Sequence, residues 1–104
     1  MKALTFWNII IKLQFNEPHE ETGFLSENFN LSKKQAYATA GISELLNQDS
    51  KIKVQWIIWQ IFQEYFETAR IQKLDYLQKL TINWEEVWLI DNWEVITLLT
   101  KEEY

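Results

Sequence analysis

The stretch NWEEVWLIDNWEV, residues 83–95, decides how the chain folds, because it fits either a helix or a β-hairpin. On a helical wheel its apolar residues surround the axis, and the acids between them do not segregate to one side. With a two-residue turn at Asp91-Asn92, Trp88 faces Val95 and Ile90 faces Trp93, so aromatic and β-branched residues form cross-strand pairs. The pattern therefore predicts a hairpin over residues 84–99, with two short capped helices as the alternative.

The N-terminal stretch Trp7–Phe15 has an apolar residue at every odd position and is rich in β-branched and aromatic residues. Strict alternation of this kind is typical of a half-buried strand. Phe6, Ile9, Ile10 and Leu13 also share a helical face, so a helix competes with the strand.

Two helices are expected between these ends. Ser32 and Gln35 have the spacing of a capping box, which predicts a helix over about residues 33–47. From residue 51 to about residue 80, apolar residues recur in steps of three and four, which predicts a second and longer helix. Since thirty residues would span about 45 Å, this helix either bends near residues 68–71 or projects and pairs with a partner.

The predicted fold is therefore α+β in the order β-α-α-β-β. The N-terminal strand joins the C-terminal hairpin in a three-stranded antiparallel sheet, and both helices pack on it; an all-α bundle is the alternative. A chain of 104 residues is the size of one domain, residues 1–104. It has no cysteine and no apolar run near the length of a membrane span. We therefore expect a cytoplasmic protein that does not bind membranes.

No pattern typical of catalysis or of a bound cofactor is present. The single histidine, His19, lies among Glu17, Glu20 and Glu21, but a metal site needs ligands that converge, and neighbours in a loop usually splay apart. The sequence has no phosphate-binding glycine loop, nucleophile elbow or zinc-protease helix motif. We therefore expect a protein that is not an enzyme and holds no metal or cofactor.

The stretch LSKKQAYATAGIS, residues 31–43, resembles the first helix and turn of the phage-repressor type of helix-turn-helix. In that motif a capped helix ends in Ala-Gly, an aliphatic residue and Ser. The resemblance implies a DNA-binding regulator that uses residues 31–48, although Tyr37 stands where the motif usually has a small residue. The cations available to it are Lys33, Lys34, Lys51 and Lys53. The net charge of −5 argues against binding nucleic acid.

Tryptophan content and charge together favour a protein–protein interaction module, of the regulator, inhibitor or immunity type. Residues 83–104 carry a net charge of −5, as much as the whole chain, so the expected partner is a basic protein. Two further alternatives are a small subunit of a larger complex and a homo-oligomer paired through the 51–80 helix. The predicted contact residues are Trp84, Trp88, Trp93, Glu85, Glu86, Asp91 and Glu94.

Overall fold

A computed structural model describes residues 2–17, 35–92 and 94–104, and it shows an α+β fold in which two helices cover one face of a six-stranded sheet. The class predicted from the sequence is confirmed, and the all-α alternative is wrong. The elements are β1 (Lys2–Phe6), β2 (Ile9–Leu13), β3 (Gln35–Ala38), α1 (Ala40–Leu46), α2 (Lys51–Ile71), β4 (Leu77–Ile82), β5 (Glu85–Asp91), β6 (Val95–Thr100) and a 3₁₀ turn (Lys101–Glu103).

The sheet is larger than the predicted three strands and has the order β1-β2-β4-β5-β6-β3. All neighbouring strands are antiparallel except β3 and β6, which are parallel. The centre is the meander β4-β5-β6, in which consecutive strands are joined by short turns. The N-terminal strands extend this meander on one side, and β3 extends it on the other.

The predicted strand over residues 7–15 is in fact one arm of a hairpin. Trp7 has a φ of 53°, in the left-handed region, so the chain turns at Trp7-Asn8 instead of continuing as a strand. The alternation is as expected from Ile9 to Leu13, where residues 9, 11 and 13 are buried. The polar Asn8, placed at an even position in the predicted strand, belongs to the turn.

The helix predicted over residues 33–47 is wrong in its first part. Residues 35–38 form β3, and the helix occupies only Ala40–Leu46. The backbone of β6 is the reason: Gln35 N donates to Glu94 O at 3.2 Å and Thr39 N donates to Leu98 O at 3.0 Å. Sheet pairing thus overrides the helical preference of an alanine-rich segment. The first helix of the helix-turn-helix resemblance is therefore not formed at residues 35–38, and its cap, Ser32, lies outside the described residues.

The long helix is shorter than predicted. It begins at Lys51 with Ser50 as its N-cap, whose Oγ accepts from Ile52 N at 3.1 Å, and it ends at Ile71. Residues 77–80, assigned to the helix from their spacing, lie in β4 instead. Buried Gln78 holds the connection in place, because its Nε2 donates to Asn16 O at 2.9 Å and to Asp75 O at 2.8 Å. At about 1.5 Å per residue α2 spans roughly 31 Å and has no over-long end.

Strands β5 and β6 form the predicted C-terminal hairpin, and the two-helix alternative for this segment is wrong. The turn lies two residues later than expected, so Trp88 pairs with Leu99 and Ile90 with Thr97. Asn92 closes the turn, because its N donates to Val95 O at 3.0 Å and its Oδ1 accepts from Val95 N at 3.1 Å. Since a shift by an even number of residues leaves each side chain on its face, Trp88 and Ile90 still share one side.

The core lies between the helices and the other side of the sheet. Along β5 and β6, buried side chains of the helix side alternate with half-buried ones of the Trp88 side, where Leu99 is also buried. Five residues from five different strands or helices have no exposed surface at all, namely Ile11, Ile61, Ile82, Leu89 and Ile96. The tryptophan side of β5 therefore faces away from the helices and is not part of this core.

We expect Leu89→Ala to lower the free energy of unfolding by about 2 to 5 kcal/mol, because it leaves a cavity in the middle of the core. Ile71→Ala is the matched control: Ile71 is 83 % exposed, and its truncation should change stability by no more than about 0.5 kcal/mol. Urea unfolding followed by circular dichroism measures both. Equal effects of the two substitutions would contradict the assignment of this sheet face to the core.

Glu103 connects the end of the sheet to the start of α1. Its Oε1 accepts from the Thr39 hydroxyl at 2.5 Å and from Thr100 N at 3.0 Å, and its Oε2 accepts from Gly41 N at 3.2 Å. These bonds, with Thr39 first, lower the pKa of Glu103 from 4.5 to about 2. A Cβ on Gly41 would lie only 2.5 Å from Glu103 Oε1, so a larger residue there would displace the carboxylate from these contacts.

Glu103→Gln should destabilise the protein at neutral pH and reduce its sensitivity to acid. A carboxylate with a lowered pKa in the folded state contributes stability that is fully present above 4.5 and is lost as the pH falls through about 2. Urea midpoints of the native chain and the variant should therefore differ at neutral pH and converge between these two values. A gap that stays constant down to the lower pH would show that the carboxylate charge does not stabilise the fold.

Candidate functional site

Two hairpin turns lie side by side at one end of the sheet. One is Trp7-Asn8 between β1 and β2, and the other is Asn83-Trp84 between β4 and β5. They are joined by the pairing of β2 with β4, where Asn83 N donates to Ile10 O at 2.8 Å and Asn83 Oδ1 accepts from Ile10 N at 2.9 Å. We call this end the turn surface, and it consists of Trp7, Ile10, Trp84, Glu85 and Glu86.

The backbone of the second turn is unusual for its sequence. Asn83 has a φ of 48° and Trp84 a φ of 74°. A two-residue hairpin turn with both φ values positive is of type I′, for which Asn-Gly is the preferred pair. Asn83 fits its position, but a residue with a Cβ costs roughly 1 to 2 kcal/mol in the left-handed region. Tryptophan at position 84 is therefore a cost to the fold.

The ring of Trp84 is largely exposed, so its burial does not offset the free-energy cost of the left-handed backbone. Trp84 is 70 % exposed and Trp7, which also has a positive φ, is 55 % exposed. Ile10, between the two turns, is exposed as well. Residues with a strained backbone are concentrated at functional sites, where the strain is retained because of function and not because of core packing. The turn surface thus has the features of a binding site.

Each described tryptophan on this side of the molecule has a lysine over its ring. The Nζ of Lys12 lies 4.0 Å from the ring centroid of Trp84, and the Nζ of Lys53 lies 5.2 Å from that of Trp7. Distances up to about 6 Å allow a cation to be attracted by the negative face of the ring. The rings of the turn surface are therefore already oriented to hold cations.

Trp88 extends the site along the outer face of the sheet. Its indole Nε1 donates to Glu86 at 2.8 Å, and its ring packs edge-on against Tyr104 with 4.9 Å between centroids. The ring is half-buried, and the Nζ of Lys79 lies over it, 5.9 Å from the ring centroid. Glu86 thereby links Trp88 to the turn surface.

The predicted contact residues divide into two groups in the structure. Trp84, Glu85, Glu86 and Trp88 lie together at or beside the turn surface. Glu94 is exposed in the turn between β5 and β6, at the opposite end of β5. Trp93 lies outside the described residues.

Asp91 is on the helix side of the sheet, where it accepts a hydrogen bond from the hydroxyl of buried Tyr65 at 2.9 Å. Burial first, and the nearby Asp91 carboxylate second, raise the pKa of Tyr65 above its ordinary value, so the phenol stays protonated. Asp91 therefore anchors α2 to β5, a structural role separate from the turn surface.

Trp7 and Ile10 belong to the site but are not among the contact residues predicted from the sequence. A local signal exists: Asn adjoins Trp at 7–8 as well as at 83–84, and Asn tolerates the left-handed conformation of tight turns. Asn8 was instead assigned to the polar face of a strand.

Within residues 2–17, 35–92 and 94–104, no three His, Cys, Asp or Glu side chains are grouped to hold a metal ion. His19 and its neighbours Glu20 and Glu21 lie outside those ranges. None of the described helices has the length and apolar character needed to cross a membrane.

No family model, curated protein or solved structure matches this chain at a significant level.

The strain at Trp84 can be measured with two variants. Trp84→Gly should be more stable than Trp84→Ala by about 1 kcal/mol, because both remove the ring and only glycine relieves the left-handed backbone. The same pair at Glu85, which lies in a strand, is the control, and there alanine should be the more stable residue. Urea unfolding of the four variants gives the comparison, and the same sign at both positions would contradict the type I′ turn.

Proposed function

We propose that this chain is a non-enzymatic protein–protein interaction module that binds a basic protein through the turn surface and the adjoining Trp88. The regulator, inhibitor or immunity type suits such a module, and a cytoplasmic location is part of the proposal. The observation that carries it is Trp84, which is 70 % exposed at a φ of 74°.

Binding accounts for a tryptophan at position 84 better than folding does. A glycine at position 84 would close the same turn without the Cβ penalty of roughly 1 to 2 kcal/mol. A tryptophan there covers little of the core but offers a large rigid apolar surface to another molecule. Tryptophan is among the residues that most often dominate binding at protein interfaces. A partner that buries Trp84 would therefore make use of a residue that the isolated fold does not need.

The chemistry of the partner follows from the cations already on the rings. Lys12 occupies the face of Trp84, so an arginine or lysine of a partner could take its place with the same attraction. Glu85 and Glu86 are exposed beside the ring and would favour approach of a positively charged surface. A basic protein thus fits both the aromatic and the acidic parts of the site.

Partner capture tests the proposal. We expect a tagged native chain and Tyr76→Ala to retain the same protein from host lysate, and Trp84→Gly to lose it. Tyr76 is a suitable control because it is an aromatic residue of similar exposure, 54 %, just before β4 at the end of that strand opposite Trp84. With the purified partner, Trp84→Gly should weaken binding at least roughly 30-fold, the value for loss of a strong interface residue. Because it relieves strain, this variant separates loss of binding from loss of folding.

Charge provides a second measurement on the same complex. Replacing Glu85 and Glu86 by Gln should slow association at low salt, and raising the salt should slow the native chain towards the rate of this variant. Full retention of the partner by Trp84→Gly would refute the assigned surface. Binding of duplex DNA that falls steeply with salt and ignores Trp84 would favour the DNA-binding alternative instead.

A further inference from the structure

The solvent side of α2 carries a second apolar surface that the proposed function does not use. Ile52, Trp56 and Trp59 are 79 %, 49 % and 51 % exposed, on the side of the helix opposite its buried residues. The two indole rings stack on each other with centroids 5.7 Å apart and 29° between planes. We call the line of side chains that contains them the outer stripe, and it comprises Ile52, Trp56, Trp59, Gln63 and Phe66. Gln63 and Phe66 are half-buried, and Phe66 also stacks on Phe62 of the core.

The spacing of the outer stripe is that of a coiled-coil seam. Its members alternate in steps of four and three residues, the pattern that keeps one line of side chains facing a neighbouring helix. The exposed parts of Trp56 and Trp59 alone amount to on the order of 200 Å² of apolar surface. Gln63 is the single polar member, and a polar residue within such a seam commonly fixes the orientation and register of the pair.

The charged residues beside the outer stripe favour a second, antiparallel copy of α2 as its binding partner. Towards the start of α2, Lys53 pairs with Asp49 at 3.0 Å, and towards its end Arg70 pairs with Glu67 at 3.4 Å. A second α2 laid antiparallel would bring Glu67 of one copy opposite Lys53 of the other, and Arg70 opposite Asp49. In a parallel arrangement each residue lies at the level of its own copy, so Lys53 and Glu67 are far apart along the helices and cannot pair.

One register satisfies the apolar and the charged contacts together. When two copies are antiparallel with the twofold axis near residues 59 and 60, Trp59 lies against its counterpart and Trp56 against Gln63. Ile52 then meets Phe66, and Lys53 meets Glu67. We propose that this chain self-associates through the outer stripe as an antiparallel pair of α2 helices, giving a dimer of layers sheet, helix, helix, sheet.

Charge reversal tests the arrangement through self-association measured by sedimentation across concentration. Lys53→Glu and Glu67→Lys should each weaken the dimer roughly tenfold or more, because each makes two like-charge contacts. An equimolar mixture of the two variants should associate at least as well as the native chain, since every pair is then opposite in sign. Lys101→Glu, outside α2, changes the net charge as Lys53→Glu does and should leave the dimer intact. Glu67→Lys is the cleaner of the two, since Lys53 also lies over Trp7.

Cysteine cross-linking tests the direction of the helices, and the natural chain adds no background because it has no cysteine. Gln60→Cys should form a disulfide-linked dimer on mild oxidation, because the axis passes close to that position. Ile52→Cys should not, because the two copies of residue 52 would be about 22 Å apart along the helices. Efficient linkage at residue 52 instead would overturn the antiparallel register.

The outcomes separate this inference from the proposed function. A native chain that stays monomeric at every concentration refutes the dimer, including when a different protein is found to cover the outer stripe. Trp84→Gly should leave self-association unchanged, and Glu67→Lys should leave capture of the basic partner unchanged. The α2 dimer and the binding of a basic protein at the turn surface can therefore be refuted independently of each other.

Discussion

Burial of one face of the sheet beneath α2 determines which side chains lie on the opposite, outer face. Ile82, Leu89 and Ile96 are fully buried on that face. Side chains alternate along a strand, so once these residues face the helices, Glu86 and Trp88 must lie on the outer face. The same pairing of β4 with β5 requires the chain to reverse at Asn83-Trp84. The core therefore determines where the aromatic residues reach solvent.

Features that depend on local pattern could be predicted, and features that depend on distant pairing could not. Cross-strand pairing identified the C-terminal hairpin, and the three- and four-residue spacing of apolar residues located the start of α2 at residue 51. The residues of β3 have the composition of a helix, and only β6, far along the chain, makes them a strand. Apolar residues three apart in the segment that became β4 fit a helix equally well, because spacing alone does not reveal a sheet partner.

The same distinction between local pattern and distant pairing applies to the residues of the candidate site. Trp84, Glu86 and Trp88 are close together in the sequence, and they are also neighbours in the structure. Trp7 joins them only because β2 pairs with β4, across some seventy residues of chain. Asp91 was included because its acidity suggested a surface role, whereas its bond to Tyr65 could be known only once α2 was placed over β5. Chemical type was thus easier to predict than spatial neighbourhood.

The parallel pairing of β3 with β6 bears on how the chain acquires its fold. Its partners are about sixty residues apart, whereas the meander β4-β5-β6 is joined by short turns. Closing a long loop costs more chain entropy than closing a short one, and local hairpins form in microseconds. The meander can therefore act as an early nucleus, with β3 and α1 docking afterwards. In that order the Glu103 contacts to Thr39 and Gly41 form after the meander, at the step when β3 and α1 dock.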